Sequence, residues 1–374
     1  MKKRVLILGV APVQMDAILQ LKEMGYETYA CAKEKDGPGV EVADHFEKIN
    51  ILDIDSLIKF IKRNDISLVY SVGSDLAMPV ACHISELLNL PHFVSEKTAR
   101  ICNNKDLMRT KMGNNFKGNV KFQVVKSEKE DIKLEFPFII KPADSQGQRG
   151  VRLVNNFEEY LKYFPESKQY SRSGLVILEQ YISGFEISVN GYIVNGEIKF
   201  LIPSDRITWP QFTGLIHKHI VPSEKLTRNE ENELEHIVEL ACKKLGINNG
   251  PVYLQMKIEQ GKPYIIEITP RLDGCHMWNV LEKFTGVNLL KLTFEHLLNG
   301  DTSELDNGIK DFKEKYILEF ICQEPNTHAD YNKYHEKVSN SLYSFNYYKQ
   351  NDKIRPVNGK YEKIGYVIYK RIGK

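Results

Sequence analysis

The sequence predicts an α/β domain at the N-terminus followed by α+β structure, and three observations carry that reading. Residues 4–10 (Arg-Val-Leu-Ile-Leu-Gly-Val) form a continuous apolar run ending in glycine, as a strand buried on both faces of a parallel sheet does. Strand-like and helix-like stretches then alternate over residues 1–95, the pattern of a small doubly wound domain. From Ala99 the character changes, and strands are separated by polar helical stretches and a hairpin.

In the first part, a helix is expected from Met15 to Met24, a strand from Glu27 to Ala32, a helix from Leu57 to Lys62 and a strand from Ile66 to Val72. A dinucleotide-binding turn is excluded. Gly9-Val10-Ala11-Pro12-Val13-Gln14 has one glycine where that phosphate turn needs three. Beyond Ala99, Asn104-Lys105-Asp106-Leu107-Met108-Arg109 opens a polar helix. Strands are expected at Phe136–Lys141, Val176–Gln180 and Phe185–Ile193. Thr227 with Glu230 makes a capping box, and Leu234, Ile237, Val238, Ala241, Cys242 and Leu245 recur at helical spacing. A hairpin runs from Val252 to Thr269, and strands recur at Tyr316–Ile321 and Ile364–Tyr369. Pro203–Pro222 reads as loop composition.

At 374 residues the chain is expected to form two or three domains. Lysine plus arginine number 51 against 49 acidic residues, so no strong field argues for nucleic acid or an anionic membrane as partner. No segment approaches the roughly 20 apolar residues of a membrane span. The short apolar run after Met1-Lys2-Lys3-Arg4 reads as a buried strand rather than a leader. Cysteines 31, 82, 102, 242, 275 and 322 are scattered without a Cys-x-x-Cys pair, which fits reduced thiols in the cytoplasm and gives no zinc or redox motif.

The strongest chemical feature is Glu267-Ile268-Thr269-Pro270-Arg271-Leu272-Asp273-Gly274. Strict alternation places Ile265, Glu267 and Thr269 on one face of a strand. A two-residue loop at Gln260-Gly261 would oppose Gln255 to Ile266. A three-residue loop, Gln260-Gly261-Lys262, opposes Gln255 to Glu267 and is the expected register. Two or three oxygens on one face suffice for magnesium, which completes its octahedron with water and phosphate. Arg271, just past the proline break, is placed to clamp a phosphoryl group or carboxylate. Lys141 ends a strand before the loop Asp144-Ser145-Gln146-Gly147-Gln148-Arg149-Gly150, whose backbone amides can approach phosphate oxygens. It is not a Walker loop, since no Gly-Lys-Ser/Thr follows. The connector Glu179-Gln180-Tyr181-Ile182-Ser183-Gly184-Phe185-Glu186 offers backbone groups for an adenine edge and a carboxylate for ribose hydroxyls.

The order of these pieces resembles the ATP-grasp superfamily over residues 4–300. The similarity is greatest to the branch of carbamoyl phosphate synthase large-subunit domains, biotin carboxylase and the purine-pathway carboxylases. The resemblance implies a Rossmann-like pre-ATP-grasp domain at 1–95 and an α+β ATP-grasp domain at 96–300, with lobes at 96–180 and 181–300. A small C-terminal α+β segment, 301–374, would complete the ATP-grasp core. It implies phosphate contacts from Lys105 and Lys141, and a covering loop bearing Ser145, Gly147 and Gly150. Adenine would meet Glu179, Gln180 and the backbone near Ile182, and ribose Glu186. Gln255, Glu267 and Thr269 would hold magnesium, or manganese in its place, and Arg271 and Lys141 would be catalytic. Thr269 stands where the family commonly has Asn, and Arg271-Leu272-Asp273-Gly274 replaces the usual Arg-x-Gly-Gly. The extra carboxylate of Asp273 would receive an amine, with His276 assisting proton transfer.

The activity implied is a ligase that phosphorylates a carboxylate with ATP and couples the acyl phosphate to an amine, releasing ADP and phosphate. Its partners would be small-molecule carboxylates and amines. A carboxylase or kinase-like member, and a nucleotide-binding regulatory protein that has lost turnover, are the competing readings. Val10–Gln14, Gly73-Ser74-Asp75, Arg206, His217, Lys218 and His219 are further candidates for substrate contact. Residues 301–374 are expected to close the active-site wall, form a homodimer contact, or both.

Overall fold

Three sheets organise the chain in the computed structural model, which describes residues 3–145, 149–308 and 314–371. In the first sheet, β1 (Arg4–Leu8), β2 (Glu27–Ala32), β3 (His45–Lys48) and β4 (Leu68–Tyr70) are all parallel, in the order β3-β2-β1-β4. The apolar run of β1 is buried on both faces as expected. Val5 and Ile7 join one core cluster, and Leu6 and Leu8 another. Gly9 has φ +102°, and the space its missing Cβ leaves is filled by Gln14. Gln14 accepts from Ala11 N at 3.0 Å and donates to the Val72 carbonyl. The turn after β1 is thus plugged by the protein's own side chain. The sequence reading missed β3 because its burial is slight and its residues are polar at an edge.

The second sheet is antiparallel and small. It contains β5 (Phe122–Val125), β6 (Phe138–Pro142), β7 (Arg152–Val154) and β8 (Val176–Gln180), in the order β5-β8-β6-β7. Helix Phe157–Tyr170 covers it, burying Tyr160 and Phe164 against Phe138, Ile140, Val176 and Leu178.

The third sheet has eight antiparallel strands: β9 (Phe185–Val194), β10 (Glu197–Trp209), β11 (Phe212–Val221), β12 (Gly250–Glu259), β13 (Lys262–Thr269), β14 (Tyr316–Gln323), β15 (Tyr343–Asn346) and β16 (Glu362–Lys370). Their order is β13-β12-β9-β10-β11-β14-β16-β15. The last three strands are paired into the same sheet, through β14 on β11. The span 203–222 is a correction to the sequence reading, because it is strand nearly throughout. Its alternation is masked because this sheet face carries Ser188, Ser204, Arg206 and His219, which are buried although polar. Helix Arg228–Leu245 starts at the expected box, with Glu230 accepting from Thr227 N at 2.8 Å. No helix among the described residues is long and apolar enough to cross a membrane.

The β12–β13 hairpin reaches the expected pairing by a different route. Glu259 opposes Lys262, so the loop is the two residues Gln260 and Gly261, at φ 50° and 76°. Two left-handed residues in succession mark a hairpin turn matched to strand twist. A register shift between Gln255 and Met256 then passes over Ile266, so Gln255 opposes Glu267 after all. This is a β-bulge, one extra residue on one strand. The bulge also breaks the strict alternation expected for β13. Ile265 lies with Ile268 in the core, while Glu267 and Thr269 do not.

Candidate functional site

The site lies where the small sheet, the β12–β13 hairpin and a loop of the first sheet approach one another. Lys105 is the first residue of helix Lys105–Met112, and its own amide donates to the Ala143 carbonyl at 2.9 Å. That fixes the helix start against the end of β6. The Lys105 ammonium lies 3.3 Å from Glu267 Oε1 and donates to the Ser145 carbonyl at 3.0 Å. One cation therefore joins the hairpin carboxylate to the loop after Lys141. Around these groups is a cavity of about 70 Å³ lined by Asp75, Lys105, Met108, Glu267 and Thr269 among others.

Lys141, on β6, is buried and pairs with Glu179 Oε2 on β8 at 2.7 Å. Glu179 also accepts from Arg109 Nε at 2.9 Å and Nη2 at 3.3 Å. Burial alone would raise the carboxyl pKa of Glu179, but Arg109 and Lys141 outweigh it and bring it down to about 2. Arg109 is wholly buried and donates onward to the carbonyls of Ile265 (2.7 Å) and Ile266 (3.1 Å), at the bulge. β13 is the edge strand of its sheet, and the guanidinium donates to these two carbonyls there. Arg109 thus links Lys141, through Glu179, to the hairpin that carries Glu267. The sequence reading passed over it, although an arginine between Met108 and Met112 on a buried helix face was the available signal.

Glu267 has 40% of its side chain exposed, and Lys105 and Lys141 hold its carboxyl below the usual range against the opposing effect of burial. Thr269 is buried, and its hydroxyl has no hydrogen-bond partner. On the same face, Gln255 Nε2 donates to Glu186 at 3.2 Å, and Glu186 pairs with Arg206. Arg271 is held by the first sheet's loop, since its Nε donates to Asp75 at 2.7 Å and its Nη1 to the Leu272 carbonyl at 2.9 Å. The loop after Lys141 is anchored at both ends. Asp144 accepts from Ser171 Oγ and from the amides of Arg172 and Ser173, and the Gly150 carbonyl accepts from Ser167. At Gly150, φ is +67°, and a Cβ would meet Tyr170 and Ser167 at 3.0–3.1 Å. Gly147 lies outside the described residues.

Residues 134–278 match the ATP-grasp domain family. The chain carries an ATP-grasp domain. It is 28% identical over 193 residues to the carbamoyl phosphate synthase large chain of Caldanaerobacter subterraneus subsp. tengcongensis, covering 50% of this chain but 17% of that protein. Two solved structures share the fold. The L-amino acid ligase of Bacillus licheniformis superposes with TM-score 0.82 at 17% identity, covering 100% of this chain and 94% of that one. The biotin carboxylase domain of the Hydrogenobacter thermophilus 2-oxoglutarate carboxylase, in complex with MgADP, ADP and bicarbonate, gives 0.79 at 16%, covering 99% and 86%.

The ATP-grasp match contains Lys141, Glu179, Glu186, Gln255, Glu267, Thr269 and Arg271, while Lys105, Arg109 and Asp75 come from outside it. Two of the residues expected at the substrate have partners on other elements. His276 is buried with Nδ1 at 2.7 Å from Asp16 and its ring stacked on Tyr366, which fastens the first sheet's helix Pro12–Glu23. His217 stacks on Trp209 at 3.7 Å and binds Glu319 at 2.9 Å. Residues expected to meet adenine are also committed in part to other partners. Glu179 spends its carboxylate on Arg109 and Lys141, and the Ile182 carbonyl accepts from Lys257 at 2.6 Å.

Proposed function

We propose that this chain is an ATP-dependent ligase that phosphorylates a carboxylate and joins the resulting acyl group to an amine. The observation that carries the reading is the convergence at Lys105, whose ammonium touches both Glu267 and the loop that follows Lys141. A metal–triphosphate site needs such a place, where oxygen ligands and cations meet.

The residues fit magnesium with ATP. Gln255 and Glu267 stand opposite each other, and the unpartnered Thr269 hydroxyl shares their face. These three would hold the ion, with manganese as a substitute. Bound magnesium would supply charge neutralisation on the triphosphate. Lys141 and Lys105 would bind phosphate oxygens. Glu179, ionised between Arg109 and Lys141, keeps the Lys141 head in place. The segment 145–150 would exclude water from a hydrolysable acyl phosphate. Arg271, aimed by Asp75, would bind the reacting phosphoryl group or the acid. Gln180 and the backbone near Ile182 would take the adenine, and Glu186 the ribose. The MgADP complex of the biotin carboxylase domain, a neighbour in fold, supports the nucleotide assignment.

The test is ADP and phosphate release from ATP and magnesium across a panel of carboxylates, each with and without amines, plus an arm with bicarbonate. ADP formation that requires both an acid and an amine is the expected result. Bicarbonate-dependent turnover alone would move the chain to a carboxylase. Tight ATP binding with no ADP release would leave a regulatory nucleotide-binding protein.

A further inference from the structure

Beside Arg271, the polar face of the large sheet continues into a closed cluster that the nucleotide site does not use. His219 on β11, Asp273 and Cys275 bring ring nitrogen, carboxylate oxygen and sulfur within 4.8 Å of one another. His219 is 0% exposed and Asp273 4%. Both ring nitrogens of His219 and Oδ2 of Asp273 lack a hydrogen-bond partner. Buried polar atoms are almost always paired, so unpartnered polar atoms on two neighbouring buried side chains point to a ligand-binding site.

The chemistry around the cluster selects that ligand. Lys363 Nζ lies 3.7 Å from Cys275 Sγ and sits over the Phe320 ring, while Arg206 and Arg271 act on Asp273 from the other sides. Three cations make this a poor place for a metal dication. The thiol is also kept protonated, its pKa pushed up to about 11 by burial and Asp273. The unpartnered groups are a carboxylate oxygen and the ring of a histidine that burial, Arg206 and Lys363 hold neutral. Both can accept an N–H. A neutral primary amine supplies such donors, and the surrounding cations favour it over its ammonium form.

We propose that His219 and Asp273 form the nucleophile subsite, holding ammonia or a small primary amine as the free base beside Arg271. This rests on the ligase reading above. In the reaction the amine lone pair forms the C–N bond to the acyl carbon. The C–O bond to phosphate breaks with its electron pair leaving on phosphate, and an N–H proton passes to the Asp273 carboxylate. Burial raises the pKa of that carboxyl, in the direction a proton acceptor needs.

Two isosteric variants, Asp273→Asn and His219→Gln, test the assignment with ammonium chloride, methylamine and glycine as amine sources. The KM for the amine should rise about 10- to 100-fold in each, the range expected for a lost hydrogen bond to a charged or buried group. The KM for ATP should stay within about twofold. An unchanged amine KM in both variants, or a rise confined to the carboxylate or ATP, overturns the proposal. A second measurement is independent of turnover. The ring ¹⁵N resonances of His219, assigned by their loss in His219→Gln, should move as methylamine is titrated into the intact protein. No movement refutes the subsite, and so does a cobalt–thiolate charge-transfer band on adding Co²⁺, which would make the cluster a metal site. Absence of any carboxylate-dependent ADP release defeats the ligase reading instead, and the resonance titration still decides the subsite.

Discussion

Replacing Arg109 by methionine should cost stability out of proportion to its single side chain. The guanidinium is 0% exposed and serves Glu179, Asn119 and the carbonyls of Ile265 and Ile266. Methionine fills most of the volume but leaves the Glu179 carboxylate with Lys141 alone. Removing one partner of a buried ion pair typically costs about 3–5 kcal/mol. The lowered carboxyl leads to a similar figure. A fall from the ordinary 4.5 to about 2, which Arg109 and Lys141 produce together, corresponds to roughly 3 kcal/mol favouring the ionised form in the folded protein and so bounds the share of Arg109. Because the folded pKa is depressed, that contribution is fully present above the unfolded value. It is lost as pH falls toward about 2. Urea denaturation followed by tryptophan fluorescence is suitable, since Trp209 and Trp278 both belong to the large-sheet side. At neutral pH Arg109→Met should be about 3–4 kcal/mol less stable at unchanged urea slope, and the gap should narrow between pH 5 and 2. A loss below about 1 kcal/mol, or a gap that ignores acid, would refute the claim that Arg109 holds Glu179 ionised.

Other outcomes follow from the same contacts. Glu267→Gln should reduce metal-dependent ADP release by about a hundredfold or more while the thermal transition stays in place, read by coupled-enzyme assay and calorimetry. Thr269→Val removes an unpartnered buried hydroxyl, so stability should change by less than about 1 kcal/mol while the magnesium concentration for half-maximal rate rises. His276→Phe should lose about 1–3 kcal/mol through the lost Asp16 contact and leave the amine KM unchanged, which separates a fastening role from a chemical one.

Residues whose environment is local were legible before any coordinates. The β1 run, the Thr227–Glu230 cap and the Gln255–Glu267 pairing all depend on neighbours a few residues or one hairpin away. Even there the pairing came out through a bulge rather than a longer loop, because nothing in the one-dimensional pattern shows that Arg109 donates to the carbonyls of Ile265 and Ile266. Strands β10 and β11 were hidden for the opposite reason. A sheet face that carries buried polar side chains does not alternate between apolar and polar, and Pro203 adds a false break. The surroundings of His276 and His219 were not legible because their partners are remote. Asp16 lies 260 positions from His276, and Lys363 approaches His219 and Cys275 from β16.

The seam between the first sheet and the large one has a practical meaning for anyone dissecting the chain. Asp75 steers Arg271, and Asp16 receives His276, Trp278 and Asn279 at once. A fragment trimmed to the matched span, 134–278, would strip the arginine of its counter-ion and leave His276 and Trp278 without their Asp16 partner. The leading hundred residues are therefore part of the machine tool, and a minimal catalytic fragment has to be cut around them rather than after them.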